Sequence, residues 1–181
     1  MGGLAFGTRP DSPYIPRMSP AVYGRVRDAC HAQLRELFVY VATPIEGPAK
    51  KDYGDLDVLV CLEKRLAFPR TPADATPTTP HDLMGIIKNK LDAKRMIKTL
   101  TATSAHLAIP WPRGLGQDLD GDDKMAGDDE MNNAHRGNSS DGATKERYVQ
   151  VDVRVCGNLD ELCWVSSDMF FIARNHRACW S

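Results

Sequence analysis

Residues 54–60 read Gly-Asp-Leu-Asp-Val-Leu-Val, and this run constrains the fold more than any other part of the chain. In a strand, side chains two apart share a face. Asp55 and Asp57 then project together, while Leu56, Val58 and Val60 face a core, which predicts a strand over Leu56–Leu62. Carboxylates side by side repel each other, and a hard divalent cation such as Mg²⁺ removes that repulsion by taking their oxygens. Residues 148–155, Tyr-Val-Gln-Val-Asp-Val-Arg-Val, alternate in the same way. Val151, Val153 and Val155 form one face, and Gln150, Asp152 and Arg154 form the other. With the two strands side by side, three carboxylates converge. Three can hold two metal ions about 3.5–4 Å apart for an in-line phosphoryl displacement. Arg154 would offset part of that negative charge or touch a phosphate.

The remaining segments supply elements to support those strands. Residues 1–18 hold Gly2, Gly3, Gly7, Pro10, Pro13 and Pro16, and predict an extended, irregular lead. Ser19-Pro20 is a helix start, an N-cap followed by proline at the first helical position. Val22, Val26, Ala29, Cys30, Leu34 and Leu37 then keep the helical period. Phe38 to Val41 is β-branched and aromatic, and reads as a strand closed by Pro44. Glu46–Gly54 is a polar loop. Residues 64–80 form a surface loop, and its part from Arg70, with Pro72, Pro77 and Pro80 among threonines, is expected to hold no regular structure. His81 to Lys98 turns helical on Leu83, Ile86, Ile87, Leu91 and Ile97, and Ala105–Ile109 is a short strand stopped by Pro110. Residues 113–146 offer almost nothing to bury and predict a disordered acidic insertion. The expected fold for residues 19–181 is a single α+β domain, a small mixed β-sheet with helices 19–37 and 81–98 packed on it.

Composition narrows the classes further. A chain of 181 residues has length for one modest core. No apolar run approaches the ~20 residues that span a bilayer. No basic-then-apolar start marks a secretory signal, and Phe6 stands where a myristoylation motif wants Ser or Thr. Five cysteines, an odd number without a regular framework, read as reduced thiols. The expected location is therefore intracellular, cytoplasmic or nuclear, with no membrane partner. A net charge of −1 gives no general pull toward nucleic acid. Asp118-x-Asp120-x-Asp122 begins like a calcium loop, but Asp123 replaces its glycine and Asp129 its closing glutamate. Cys156, Cys163, His176 and Cys179 lack zinc-knuckle spacing, and Gly114-x-Gly116 does not lie between a strand and a helix. His31, His81 and His106 show no partner in the sequence, and read as solvated or satisfied core residues.

The two acidic strands carry a resemblance. Gly54–Val60 resembles the metal-binding strand of DNA polymerase beta and its relatives in the polymerase-type nucleotidyltransferase superfamily. Val151-Asp152-Val153-Arg154-Val155 is similar to the strand that bears their third carboxylate, with an arginine two residues on. The order Leu107–Pro110, insertion, then 148–155 is also similar, and Trp164–Phe170 faintly resembles a segment that packs against the incoming nucleotide. Gly2–Phe6 and Ile15–Pro20 look like a group of filamentous-fungal proteins with this fold. The resemblance runs over residues 19–170.

The resemblance implies Mg²⁺ or Mn²⁺ held by Asp55, Asp57 and Asp152, with Asp55 and Asp57 bridging two ions. It implies that Asp152 holds the catalytic ion and helps deprotonate the attacking hydroxyl. The donor would be a nucleoside triphosphate, and nucleic acid is one of the acceptors the superfamily serves. Where that superfamily holds phosphate with Gly-Ser, this chain has Gly47-Pro48, and proline offers neither hydroxyl nor N–H. Lys50, Lys51, Gly54 and Arg154 are the other candidates for nucleotide contact. Relatives continue well beyond the third carboxylate, so the C-terminal part is expected to be cut short at Ser181. Two classes stay open: a two-metal nucleotidyltransferase, and a non-catalytic interaction module on a degenerate form of the fold.

Overall fold

The computed structural model describes residues 5–7, 11–47, 50–113 and 146–175, with backbone alone from 168 onward. Helix α1 spans Pro20–Leu34. Ser19 starts it as the sequence predicts, its hydroxyl accepting from the Val22 amide at 3.4 Å. Ser19→Ala should therefore lower stability by about 1 kcal/mol, read from urea melts. The helix stops three residues short of the predicted Leu37, because a turn closed by the Leu37 amide on the Leu34 carbonyl leads into β1, Phe38–Ala42.

Strand β2 spans Leu56–Glu63. The expected surface loop after it holds more structure than its prolines suggested. Lys64–Ala67 form a one-turn helix, α2. Pro72–Ala75 form a 3₁₀ turn in which the Asp74 carboxylate accepts from the Thr71 amide at 2.8 Å. Pro72 sits at the first position of that turn, where its missing N–H costs nothing.

Helix α3, Pro80–Lys90, is capped by Thr79, which accepts from the Asp82 amide at 3.2 Å. It does not continue to Lys98 as predicted. Leu91 caps it, Asp92 turns into the left-handed region at φ 50°, and Arg95–Lys98 form an edge strand, β3. Ile97, which fitted the helical period, is 42% exposed on that strand. Strand β4 is Ser104–Pro110 and β5 is Tyr148–Cys156.

The chain ends, within the described residues, in helix α4, Leu159–Asn175. Asn158 begins it by accepting from the Glu161 amide at 2.8 Å.

The five strands form one mixed sheet in the order β1-β2-β5-β4-β3, with β2 and β5 parallel and the other neighbours antiparallel. This is the expected α+β architecture. One face carries Leu56, Val58, Val60, Val149, Val151, Val153, Ala105 and Leu107 against Val22, Val26, Leu34, Met84 and Ile87 of the helices α1 and α3. On the other face Leu59, Cys61 and Cys156 pack with Leu162 of α4. The N-terminal lead is tied to the sheet rather than loose. Tyr14 bridges Arg147, Met18 bridges Tyr53, and Met18 is buried in the core. Cys30, Cys61, Cys156 and Cys163 are free, as the sequence reading expected. Among the described residues no helix is long and apolar enough to cross a membrane. The acidic insertion from 114 to 145, the calcium-like run, His176, Cys179 and Pro48 lie outside the described residues.

Candidate functional site: an acidic row on the open sheet face

The alternation of β2 and β5 sends Asp57 and Asp152 to the face opposite the helical core. The parallel register makes these two residues direct Cα partners on neighbouring strands. Asp55 precedes β2 by one residue and shares the face of Asp57. Further along the same face α4 covers Leu59 and Cys61, while at the start of β5 the lead covers Gln150 through the amide of Ala5. The acidic residues lie between these two covers.

Asp57 is half-buried, and its carboxyl is pushed up to about 7. Burial is the main cause, followed by the charges of Asp55, Asp152 and Glu46, while Lys50 acts in the opposite direction. Asp55 and Asp152 thus both act on the charge of Asp57. Among the described residues, however, no three His, Cys, Asp or Glu side chains enclose a position for a metal ion. Carboxylates are the donors that a hard divalent cation takes, and Asp57 shifts toward neutrality chiefly through burial, with Lys50 opposing it.

Asp152 is held by groups the sequence reading did not assign. Gln150, only 2% exposed, donates from Nε2 to Asp152 Oδ1 at 2.9 Å and accepts the Ala5 amide at 3.2 Å. His106, expected to be solvated or a satisfied core residue, is about one-third exposed and lies against Asp152. It is the β4 register partner of Asp152, with Nδ1 2.9 Å from Oδ1. The alternation of β4 could have placed His106 on the polar face, but not opposite Asp152. His31 also has a partner, Thr43 Oγ1 at 2.7 Å.

The predicted phosphate contacts are placed less favourably. Lys50 pairs with Glu46 and lies 5.3 Å over the Tyr53 ring. Tyr53 stacks on Tyr23 at 3.9 Å, and the Tyr23 hydroxyl donates to Glu46 at 3.1 Å. Burial and the Glu46 charge push the Tyr23 phenol well above its ordinary range. Lys51 is exposed, and Gly54 is buried just ahead of β2. A Cβ on Gly47 would meet nothing within 4 Å, so no close backbone approach requires glycine there. Arg154 shares the acidic face but is engaged by Glu161 of α4 at 2.9 Å. A cleft of about 780 Å³ is lined by Tyr23, Arg27, His31, Thr43, Glu46 and Tyr53 among others, and none of the three aspartates lines it. Two of its lining residues, Tyr23 and Glu46, interact electrostatically with Asp57.

Comparison of the chain with sequence models of known protein families and with curated protein sequences finds no match.

Proposed function

We propose that the chain is an intracellular, metal-dependent nucleotidyltransferase, moving a nucleotidyl group from a nucleoside triphosphate to a hydroxyl acceptor with release of pyrophosphate. The observation that carries the reading is the pairing of Asp57 with Asp152 on adjacent parallel strands, with Asp55 on the same face just ahead. Burial first, and the charges of Asp55, Asp152 and Glu46 after it, make an ionised Asp57 unfavourable, and a bound cation would offset both. Asp55, Asp57 and Asp152 would hold Mg²⁺ or Mn²⁺, which when bound neutralises the triphosphate and favours loss of the acceptor hydroxyl's proton. Gln150 fixes the orientation of Asp152, the carboxylate nearest in role to that proton. The cleft lined by Tyr23 and Glu46 offers room for a nucleotide-sized ligand.

One observation favours a second reading, a non-catalytic interaction module. Lys50 and Arg154, two of the three cations predicted to contact phosphate, are both engaged by carboxylates of the chain itself. Thermal melting with each nucleoside triphosphate, with and without Mg²⁺ or Mn²⁺, separates the two. The enzyme reading expects a rise of about 5–10 °C at 100-fold excess over Kd, seen only with metal present. No shift with any nucleotide sinks that reading and leaves the module.

A further inference from the structure

Six dipeptides of the chain place a serine or threonine before proline: Ser12-Pro13, Ser19-Pro20, Thr43-Pro44, Thr71-Pro72, Thr76-Pro77 and Thr79-Pro80. The fold accounts for five of them. Ser19 and Thr79 cap α1 and α3, and Thr71 opens the 3₁₀ turn, each followed by proline at the first helical position. Ser12 donates to the Phe6 carbonyl at 2.9 Å, and the Thr43 hydroxyl lies 2.7 Å from a His31 ring nitrogen. Thr76 has no such role. It ends the 3₁₀ turn, no helix begins at Pro77, and its hydroxyl makes no hydrogen bond with any described residue.

Thr76 and Pro77 are both exposed, whereas Pro44 is buried. The Thr76 backbone is extended, with φ −84° and ψ 123°, as a residue before proline prefers. A second protein can therefore lie along this loop and reach both side chains. Proline after the acceptor is a readable feature because it lacks an N–H. A pocket that gives that position an apolar wall and no acceptor admits proline, and leaves the amide of any other residue unsatisfied.

We propose that Thr76 is a phosphorylation site for a protein kinase that requires proline after the acceptor residue. Thr76 Oγ1 attacks the γ-phosphorus of the kinase's nucleoside triphosphate and gives up its proton. The bond from that phosphorus to the nucleoside diphosphate breaks, so the diphosphate and a proton are released. The fold offers the product a counter-charge. Arg65 Nη1 donates to the Thr76 carbonyl at 2.7 Å, and Arg65 lines a cleft of about 470 Å³ together with Lys64 and Arg70. None of these residues belongs to the acidic row, so the site stands whatever that row binds.

The test uses the folded full chain with Mg²⁺ and ATP and, in separate reactions, a mitogen-activated kinase and a cyclin-dependent kinase. Fragmentation mass spectrometry locates the phosphate over time. Thr76 is expected to be the main acceptor. Thr71 and Thr79 should react at least about tenfold more slowly, because their hydroxyls are committed to Asp74 and Asp82. Pro77→Ala keeps the Thr76 hydroxyl and should slow its modification at least about tenfold. Thr76→Val should remove the main site and melt like wild type, since the side chain is exposed. Modification that requires prior heat denaturation overturns the proposal. No incorporation by either kinase, or an unchanged rate in Pro77→Ala, does the same. Labelling of Thr71 or Thr79 as fast as Thr76 overturns the choice of Thr76, since a free hydroxyl would then not decide the site.

Discussion

Asp57→Asn is expected to abolish the Mg²⁺-dependent stabilisation by every nucleoside triphosphate, while the apo protein melts higher than wild type above pH 7. Both effects come from one charge. The amide matches the carboxylate in size and fits the half-buried position on β2, so the sheet register and the packing of Leu56 and Val58 beneath it should persist. In wild type the carboxylate faces Asp55, Asp152 and Glu46, opposed only by Lys50. Removing the charge relieves that repulsion and the cost of burial, for a gain on the order of 1 kcal/mol in the apo protein. An amide oxygen without charge is a poor partner for a hard cation. Loss of a direct ligand should weaken metal-nucleotide binding by more than the 10–100-fold typical of outer-shell changes. Paired melts of the two proteins, with and without metal and nucleotide, measure both effects. Equal nucleotide stabilisation in the variant would remove Asp57 from the site.

The faces of the two acidic strands were legible because alternation is a local property. Leu56, Val58, Val151 and Val153 reach the helical core, and Asp57 and Asp152 the other face, as their spacing requires. Register is not local. Whether Asp57 is level with Asp152, and both with His106, depends on how strands far apart in sequence pair, and no spacing rule fixes that. The overrun of α3 has a different cause. Ile97 falls on the helical period by coincidence, while the break at Leu91–Asp92 comes from a residue in the left-handed region that periodicity ignores. Helix α4 was passed over although Asn158, with Glu161 three residues on, is an ordinary N-cap pattern. Lys50 read as a phosphate contact or a solvated loop residue, but the fold delivers Tyr23 and Glu46 to it, and a one-dimensional reading could not anticipate that pairing.

The pH dependence of stability isolates the acidic row in the absence of ligand. Asp57 has an ordinary value of 3.8 when unfolded and about 7 in the fold, so between these values the native state binds the extra proton. Stability contributed by that proton is complete below about pH 4 and is lost as pH rises through 7. The slope is at most about 1.4 kcal/mol per pH unit. His31 works against it, because burial and the charges of Arg35 and Arg27 lower its value below 6.5. Its neutral form is favoured in the fold, so its contribution rises with pH until about 6.5 and then stays constant. The lowered carboxylates Asp52, Asp74, Asp82 and Glu161 titrate in a more acid window. The comparison that matters is therefore wild type against Asp57→Asn from pH 5 to 8, in which every shared group cancels. Wild type should lose stability relative to the variant as pH rises, levelling off above 7. Added Mg²⁺ should reverse the trend for wild type alone. Metal binding requires the ionised carboxylate, so affinity grows with pH, by up to about tenfold per unit, until Asp57 is deprotonated. A flat difference between the two proteins across this range would mean that Asp57 is ionised at little cost, and the crowding that marks the row as a cation site would not exist.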